Sequence, residues 1–322
     1  MGENTMKRII AVAAAFLAST TVAFAQDYPA GQVNMIVPFG AGASNDAVAR
    51  FLANQLRERW DQPVVVENRP GAGSTIGTEY VARADPDGHT LLFTSSAFAT
   101  APAVFAELPY DPLGDLIPIT MVGFSQFIMV GGANVQSNDL ASFLEEAKTR
   151  EIFLATAGLG SATHFAGELF IAASGVEMTP VHYRGGAELT TDLIGGRMDI
   201  YVGSLATLIA NVRNGNLKAL AVMGDEPAEA LPDVMTTASA GIEGASTGLW
   251  FGVFAPAGTP DDVIAKLNTD INDVMASDAA RAFMASLESV VRGYPQAEFV
   301  TIVEREIEQW QRLAAERGIE AN

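Results

Sequence analysis

The chain has 322 residues, of which 49% are hydrophobic, and a formal net charge of −19. This length is sufficient for two ordinary domains, each with its own core. The strongly acidic surface argues against nucleic acid and anionic membranes as partners. The sequence has no cysteine, which excludes disulfides and thiolate-bound metals, and its three histidines lack metal-ligand spacing. We therefore expect neither a metal nor a cofactor.

The N-terminus has the features of an export signal. Lys7 and Arg8 precede the apolar run 9–18, which is followed by an Ala-Phe-Ala cleavage site that ends at Ala25. The run is too short to span a membrane. The sequence therefore predicts a signal peptide over residues 1–25, cleavage after Ala25, and a mature periplasmic chain that is not membrane-inserted.

A turn of small residues lies in the first α/β unit of the mature chain. It occupies residues 38–43, between a predicted buried strand and a helix that starts near Ser44. Gly40 and Gly42 permit a sharp bend, the hydroxyl of Ser44 can cap the helix, and Asp46 suits its positive end. The N–H groups of such a turn attract anions, although an ordinary βα turn has the same pattern. We call residues 38–43 the first glycine turn.

A second turn of the same kind, AGLGSATH, occupies residues 157–164 and is called the second glycine turn. Ser161 and Thr163 stand at the start of its helix, where the default role of a hydroxyl is to cap free N–H groups. His164 is interpreted as a packing or hydrogen-bonding residue at the base of the turn. Two anion-binding turns on separate sheets predict a cleft that binds one acidic ligand from both sides.

Strands and helices alternate along the chain, which predicts parallel sheets covered by helices on both faces. The apolar stretch 117–130 is too long for one ordinary strand and is expected to enter a second sheet, from which 249–255 returns. These crossings predict a discontinuous domain, 26–125 with 249–322, and an inserted domain, 126–248, as in a hinged clamshell. The predicted strands are 33–37, 63–67, 90–94, 117–130, 152–156, 179–183, 198–202, 217–222, 249–255 and 290–291, and the predicted helices are 44–60, 74–84, 137–150, 164–173, 187–194, 205–213, 260–275, 278–287 and 297–317.

Six segments carry a resemblance to a known family. They are VPFGAGASNDAVAR, PVVVENRPGAGSTIGTEYVARADPDGHTLL, LPYDPL, ATAGLGSATHFAGELF, GGRMDI and LWFGVFAPAGTP, in order across nearly the whole mature chain. They resemble the solute receptors of tripartite tricarboxylate transporters, also called the Bug family. The resemblance implies a two-domain α/β periplasmic binding protein of the type II-like clamshell kind, with hinge strands between the domains.

The family's role implies a receptor that is not an enzyme. Such a protein is expected to capture a small organic carboxylate, either a dicarboxylate, a tricarboxylate or an aromatic carboxylate, in the cleft between its domains. It then delivers the ligand to integral-membrane permease subunits, and we expect it to act as a monomer. A periplasmic sensor that feeds a signalling system is left open.

The resemblance also implies which residues bind the ligand. Many members have an Asp-Asn pair, which can meet the cationic group of an amino acid, at the positions that Gly203 and Ser204 occupy here. The ligand is therefore expected to be acidic only. The set implied by the resemblance is Gly40, Ala41, Gly42, Ser44, Asp46, Ser95, Ser96, Gly158, Gly160, Ser161, Thr163, Gly203 and Ser204.

Arg184 is a further candidate, because it follows a predicted strand and precedes two glycines. There its guanidinium either pairs with a ligand carboxylate in a fork or is a solvated loop group, and the sequence does not decide between these roles. Asp46 is interpreted as a residue that stabilises its helix rather than as a base.

Two enzyme classes are disfavoured. An NAD-type dehydrogenase requires G-x-G-x-x-G, and Asn45 stands where the third glycine of that motif would follow Gly40 and Gly42. A serine hydrolase requires G-x-S-x-G, which neither GAGST nor GLGSA provides. The sequence thus favours a binding protein over either enzyme.

Overall fold

The structure is a computed structural model that describes residues 28–183 and 186–319, apart from the side chain at position 187. The predicted signal peptide and Arg184 lie outside the described residues. Within the described part of the chain, we find no helix with the length and apolar character that a membrane span requires.

The strands of the described residues join in one curved arrangement with the order β2-β1-β3-β9-β4-β7-β5-β6, and β8 and β10 pair with β4. Strands β1, β2 and β3 are parallel to one another, as are β5, β6 and β7, whereas β4 and β9 run antiparallel to their neighbours. The strands are β1 (Val33–Val37), β2 (Val64–Asn68), β3 (Thr90–Ser95), β4 (Leu116–Gly131), β5 (Phe153–Thr156), β6 (Thr179–His182), β7 (Ile200–Ser204), β8 (Lys218–Val222), β9 (Gly248–Pro256) and β10 (Val290–Val291).

The helices lie mainly in the connections between these strands, as expected for parallel β-α-β units. They are α1 (Ser44–Trp60), α2 (Thr75–Ala82), α3 (Ala97–Val104), α4 (Leu140–Glu146), α5 (Ala162–Ser174), α6 (Gly186–Ile194), α7 (Leu205–Arg213), α8 (Asp261–Met275), α9 (Asp278–Ser286) and α10 (Gln296–Arg317).

Strand β4 belongs to both halves of the molecule. It has 16 residues and pairs with β9 as far as Gln126 opposite Gly248, and from Phe127 onward it pairs with β7. The prediction that this apolar stretch enters a second sheet is confirmed. We call the half with β1, β2, β3, β9 and β10 lobe 1, and the half with β5 to β8 lobe 2.

Each lobe has a hydrophobic core on both faces of its sheet. In β1, Val33 and Met35 join one buried cluster and Ile36 joins another, as the two-residue period of a strand requires. In β4, Phe127 and Ile128 are divided in the same way between the two clusters of lobe 2. Continuous apolar strands are therefore explained by burial on both faces.

The two lobes also contact each other through helices. Phe165 and Leu169 of α5, in lobe 2, belong to the same buried cluster as Trp310 and Leu313 of α10, which covers lobe 1. Helix α5, which follows the second glycine turn, is therefore packed directly against lobe 1.

One predicted helix start is wrong, and one helix of the structure is absent from the predicted set. Helix α4 begins at Leu140, and its N-cap is Asp139, which accepts a hydrogen bond from the Ser142 N–H at 2.7 Å. The predicted start at residue 137 is therefore three residues too early, and Ser137 donates its hydroxyl to Glu146. Helix α3 was not predicted at all, because its apolar residues show no helical period and Pro102 lies inside it.

Candidate functional site

A cavity of about 470 Å³ lies where the two lobes face each other. Lobe 1 contributes residues 38–40 of the first glycine turn, residues 70–74 between β2 and α2, and one side of α3 with the following Phe105. Lobe 2 contributes residues 157–162 of the second glycine turn and the start of α5. The structure therefore brings the two glycine turns of the sequence to one cavity.

The first glycine turn is held by a buried carboxylate. Asp46 is 4% exposed, and its carboxylate accepts hydrogen bonds from the Gly42 N–H at 2.9 Å, from Asn68 at 2.9 Å and from Arg50 at 3.0 Å. Burial favours the neutral acid, but these hydrogen bonds outweigh it and hold the pKa of Asp46 below its usual value. The interpretation of Asp46 as a stabilising residue is confirmed.

The predicted capping role of Ser44 is wrong. The N-cap of α1 is Ala43, which has no side-chain oxygen, and Ser44 is the first helical residue, with an exposed side chain. The hydroxyl therefore stands one position too late to take the N-cap role. The start of α1 is stabilised by Asp46 in the first turn, where a carboxylate also suits the helix dipole.

The second glycine turn is held by neutral groups. Ser161 is the N-cap of α5, accepts a hydrogen bond from the His164 N–H at 3.2 Å and donates its hydroxyl to the Gly158 carbonyl at 2.7 Å. Thr163 accepts a hydrogen bond from the Ala157 N–H at 2.9 Å. The predicted cap at Ser161 is confirmed, and the backbone of the turn is fixed on both sides of Gly160.

His164 connects this turn to lobe 1. The Gly160 N–H donates to Nδ1 of His164 at 3.1 Å, and Nε2 of the same ring lies 3.5 Å from a carboxylate oxygen of Glu168. The other oxygen of Glu168 accepts a hydrogen bond at 2.6 Å from Arg317, at the end of α10. His164 and Glu168 are 2% and 4% exposed. The prediction that His164 is a hydrogen-bonding residue at the base of the turn is confirmed.

Glycines let the segments around the cavity approach one another closely. A Cβ atom at Gly160 would lie 2.6 Å from both methyl groups of Val104, which belongs to the opposite lobe. A Cβ atom at Gly77 would lie 2.9 Å from Cβ of Pro38, so α2 packs directly on the first glycine turn. Without Gly160, the second glycine turn could not contact Val104 of lobe 1. Without Gly77, α2 could not pack against Pro38 of the first glycine turn.

The predicted ligand residues fall into four groups. Four of them, Gly40, Gly158, Gly160 and Ser161, line the cavity. Ser204, at the end of β7, pairs its hydroxyl with that of Ser125 on β4 at 2.9 Å. Arg184 lies outside the described residues. The remaining described candidates lie in the same turns and strand ends without lining the cavity, and they are Ala41, Gly42, Ser44, Asp46, Ser95, Ser96, Thr163 and Gly203.

Two parts of the cavity wall contain no residue that the sequence indicated as a ligand contact. One is the turn at residues 70–74, which includes Ser74, and the other is α3 with Thr100, Val104 and Phe105. The turn has the same signal as the two glycine turns, since small residues follow a strand and precede a helix. Helix α3 carries no comparable signal, because its sequence has no polar face.

Three comparisons with known proteins bear on this site. A family model described as tripartite tricarboxylate transporter family receptor matches residues 48–319. BugT of Bordetella pertussis is 35% identical in an alignment of 321 positions that covers 97% of this chain and 98% of BugT. The similarity therefore extends across both lobes.

Three solved structures share the fold. Rpa4515 of R. palustris, solved with adipate, is 30% identical with a TM-score of 0.78, and the match covers 92% of this chain and 100% of that one. MatC from Rhodopseudomonas palustris, solved with bound malate, is 28% identical with a TM-score of 0.73, and the match covers 89% and 99%. The periplasmic binding protein BugD is 33% identical with a TM-score of 0.75, and the match covers 92% of this chain and 100% of BugD. The predicted clamshell fold of a periplasmic binding protein is confirmed.

Proposed function

The chain belongs to the family of tripartite tricarboxylate transporter receptors, and on this premise we propose that it captures a small organic carboxylate between its two glycine turns. The observation that carries this proposal is that turns from opposite lobes line one cavity of about 470 Å³. This volume is within the usual range for small-molecule sites. The role is sequestration, without a chemical step.

Helix N-termini supply the attraction for a carboxylate. The first glycine turn, whose residues 38–40 line the cavity, leads into α1, and the second leads into α5, whose first residue Ala162 also lines it. Exposed N–H groups at such positions favour negative charge. Among the described residues that line the cavity there is no charged side chain. Local N–H dipoles and hydroxyls therefore bind the anion despite the acidic charge of the whole chain.

The relatives support the same class of ligand. Adipate and malate, which were found in two structures of this fold, are both dicarboxylates. A dicarboxylate has one acceptor group for each glycine turn, so it can bridge the lobes. Contacts made to both lobes only in the closed state would shift the hinge equilibrium toward closure.

The proposed domains are 26–125 with 249–322, and 126–248. The change of partner along β4, from β9 at Gln126 to β7 at Phe127, supports this boundary. We place the hinge in β4 and β9. After export by the signal peptide at residues 1–25, the monomeric receptor would deliver its ligand to integral-membrane permease subunits, whereas a sensor would signal without transport.

Thermal melting of the mature protein against carboxylates, amino acids and sugars tests the binding proposal. A ligand at about 100 times its Kd stabilises the folded state by roughly 2.7 kcal/mol, which gives a measurable rise in Tm. We expect dicarboxylates to raise the Tm more than monocarboxylates of similar size. Stabilisation by sugars with no response to any carboxylate would refute the proposal.

Arg184 stays a candidate that binding measurements can decide. If its guanidinium pairs with a ligand carboxylate, Arg184→Ala weakens binding by ~1.5–3 kcal/mol, the range for hydrogen bonds to charged groups. An unchanged Kd in titration calorimetry would assign the residue to the solvated loop and remove it from the site.

A further inference from the structure

We infer that the ligand of this chain is a carboxylate with an apolar body, without hydroxyl or amino substituents, and that Ser74 binds one of its oxygens. This inference rests on the proposed function and narrows it. Two observations support it: the large side chains of the cavity wall are apolar, and the hydroxyl of Ser74 has no hydrogen-bond partner.

The turn at residues 70–74 has an unusual backbone. Gly71, Ala72, Gly73 and Ser74 are consecutive residues with φ of 137°, 43°, 63° and 85°. Two of the four are not glycine, and residues held in this region of φ are strained and concentrate at functional sites. Ser74, the last residue of this turn, lines the cavity.

The hydroxyl of Ser74 is the only hydrogen-bonding group of that residue without a partner among the described atoms. Its N–H donates to the Gly71 carbonyl at 3.1 Å, and its carbonyl accepts a hydrogen bond from the Thr78 hydroxyl at 2.9 Å. The Oγ atom has no hydrogen-bond partner, and the residue is 3% exposed. Since a buried hydroxyl is costly to leave unpaired, a ligand oxygen at this point would stabilise it.

The other two hydroxyls of the described wall are committed to the protein. Thr100 donates to the Ala97 carbonyl at 3.2 Å, and Ser161 donates to the Gly158 carbonyl at 2.7 Å. Ser74 is therefore the described side chain of the wall that still has a hydroxyl proton to offer. A carboxylate oxygen is the strongest acceptor that it can meet.

The large side chains of the wall are apolar. Phe39, Val104, Phe105 and Leu159 line the cavity, and Leu159 is 45% exposed although it is a large apolar side chain. A ligand hydroxyl placed against these groups would lose water without gaining a partner, which is unfavourable. Methylene groups or an aromatic ring would instead be buried favourably.

An ammonium group has no acidic partner in the described wall. Asp46 is the carboxylate of the first glycine turn, but the Gly42 N–H, Asn68 and Arg50 already donate to its oxygens. Since a buried cation requires a counter-charge, amino acids should bind less well than plain dicarboxylates. The ligand class is therefore aliphatic dicarboxylates and aromatic carboxylates, as distinct from hydroxy acids and amino acids.

Matched ligands test this inference on the mature wild-type protein. Titration calorimetry compares succinate with malate and aspartate, glutarate with glutamate, and tricarballylate with citrate, while adipate and phthalate extend the plain series. Each pair differs by one hydroxyl or one amino group. We expect the plain member to bind about tenfold or more tightly, the factor that follows from leaving a ligand polar group unpaired.

The outcomes separate the inference from the proposed function. Malate, aspartate or citrate binding as tightly as its plain partner would overturn the apolar-body inference and leave carboxylate capture intact. Binding of sugars with no binding of any carboxylate would overturn both.

Variants test the residues that carry the inference. Ser74→Ala should raise the Kd of the best plain dicarboxylate about tenfold and leave the Tm of the free protein nearly unchanged, because Oγ bonds to nothing in the fold. Ser74→Gly provides the same deletion with a residue that accepts the φ of 85°. The matched control is Thr94→Val, since the Thr94 hydroxyl is also buried and unpaired but does not line the cavity.

A gain-of-function variant tests the wall. Val104→Thr keeps the side-chain shape and replaces one methyl group by a hydroxyl, which could pair with the hydroxyl of malate. We therefore expect the ratio of the Kd of malate to the Kd of succinate to fall. An unchanged Kd in both Ser74 variants would remove Ser74 from the site, and an unchanged preference in Val104→Thr would remove the apolar wall as its cause.

Discussion

The two glycine turns have similar sequences and face the same cavity, but they are stabilised differently. The first is held by Asp46, whose partners Arg50, Asn68 and Gly42 all belong to lobe 1. The second is held by the ring of His164, which contacts Glu168, and Glu168 in turn accepts a hydrogen bond from Arg317 on the opposite lobe. Similar local sequences therefore produce one turn that is complete within its lobe and one that depends on contact between the lobes.

This difference has a consequence for ligand binding. The shape of the first turn should persist whatever the angle between the lobes, because its hydrogen bonds do not cross the cleft. The second turn contacts lobe 1 twice, at Val104 through Gly160 and at Arg317 through Glu168. We therefore expect mutations at the lobe contact to affect the second turn selectively.

The largest expected effect is on Gly160. Its φ is +70°, and an added Cβ would lie 2.6 Å from Val104, so Gly160→Ala must displace the second turn or the opposite lobe. We expect ligand affinity to fall by at least about 100-fold, which corresponds to ~2.7 kcal/mol. Titration calorimetry with the best carboxylate measures this loss.

Gly175→Ala is the matched control for that variant. Gly175 ends α5 with a φ of +69°, and an added Cβ would meet nothing within 4 Å. Both variants carry the same backbone strain, about 1–2 kcal/mol, but only one affects the lobe contact. Equal affinities in the two variants would contradict the role given to the contact between Gly160 and Val104.

The sequence predicted the features that depend on neighbouring residues. The pattern of Gly40, Gly42 and Asp46 predicts a turn at the start of a helix. Helix α7 (Leu205–Arg213) has the predicted bounds. The length and apolar character of β4 were enough to predict its passage between sheets, because a strand buried throughout must be covered by two cores.

The sequence could not predict features that depend on distant residues. Arg317 and Glu168 are 149 positions apart, and their ion pair exists only because α10 packs on α5. Helix α3 is apolar on all sides, so its pattern does not distinguish it from loop or strand. The free hydroxyl of Ser74 follows from a backbone conformation that no residue pattern specifies.

The second prediction concerns Asp46. Asp46→Asn replaces an acceptor-only carboxylate with an amide that can accept on one atom only, so at least one of its three donors loses its partner. We expect the free energy of unfolding to fall by about 2–4 kcal/mol, measured in urea. Hydrogen exchange at Gly160 should not change, because no hydrogen bond of Asp46 reaches lobe 2. Faster exchange there would contradict the independence of the first turn.

The third prediction concerns Arg317. Arg317→Gln leaves Glu168 buried without its cation, but the Arg317 side chain is 31% exposed, so the cost is smaller than for a fully buried pair. We expect the free energy of unfolding to fall by about 1–3 kcal/mol and hydrogen exchange at the Gly160 N–H to become faster. Arg312→Gln, on the exposed side of the same helix, is the control. If both variants left exchange at Gly160 unchanged, the connection through His164 would be wrong.

The smallest expected effect is a difference in how acid weakens the two turns. Burial favours neutral Glu168, but hydrogen bonds from His164 and Arg317 outweigh it and hold its pKa below the usual 4.5. The pKa of Asp46 is likewise held below its usual 3.8. Because both pKa values are lower in the folded than in the unfolded protein, both carboxylates stabilise the fold at neutral pH. Each contribution is lost as the pH falls from the unfolded toward the folded pKa.

Since 4.5 lies above 3.8, acid should remove the contribution of Glu168 before that of Asp46, and the second turn should weaken first. The measurement is the free energy of unfolding in urea, in steps from about pH 6 to about pH 3.5, for the wild type, Glu168→Gln and Asp46→Asn. In the interval between 4.5 and 3.8, we expect Glu168→Gln to lose about 0.6 kcal/mol less than the wild type. Asp46→Asn should lose only about 0.3 kcal/mol less than the wild type there and should diverge further at lower pH. If Glu168→Gln instead declined in parallel with the wild type, the Glu168 carboxylate would not stabilise the second turn, and the contrast between the turns would then depend on the contact between Gly160 and Val104 alone.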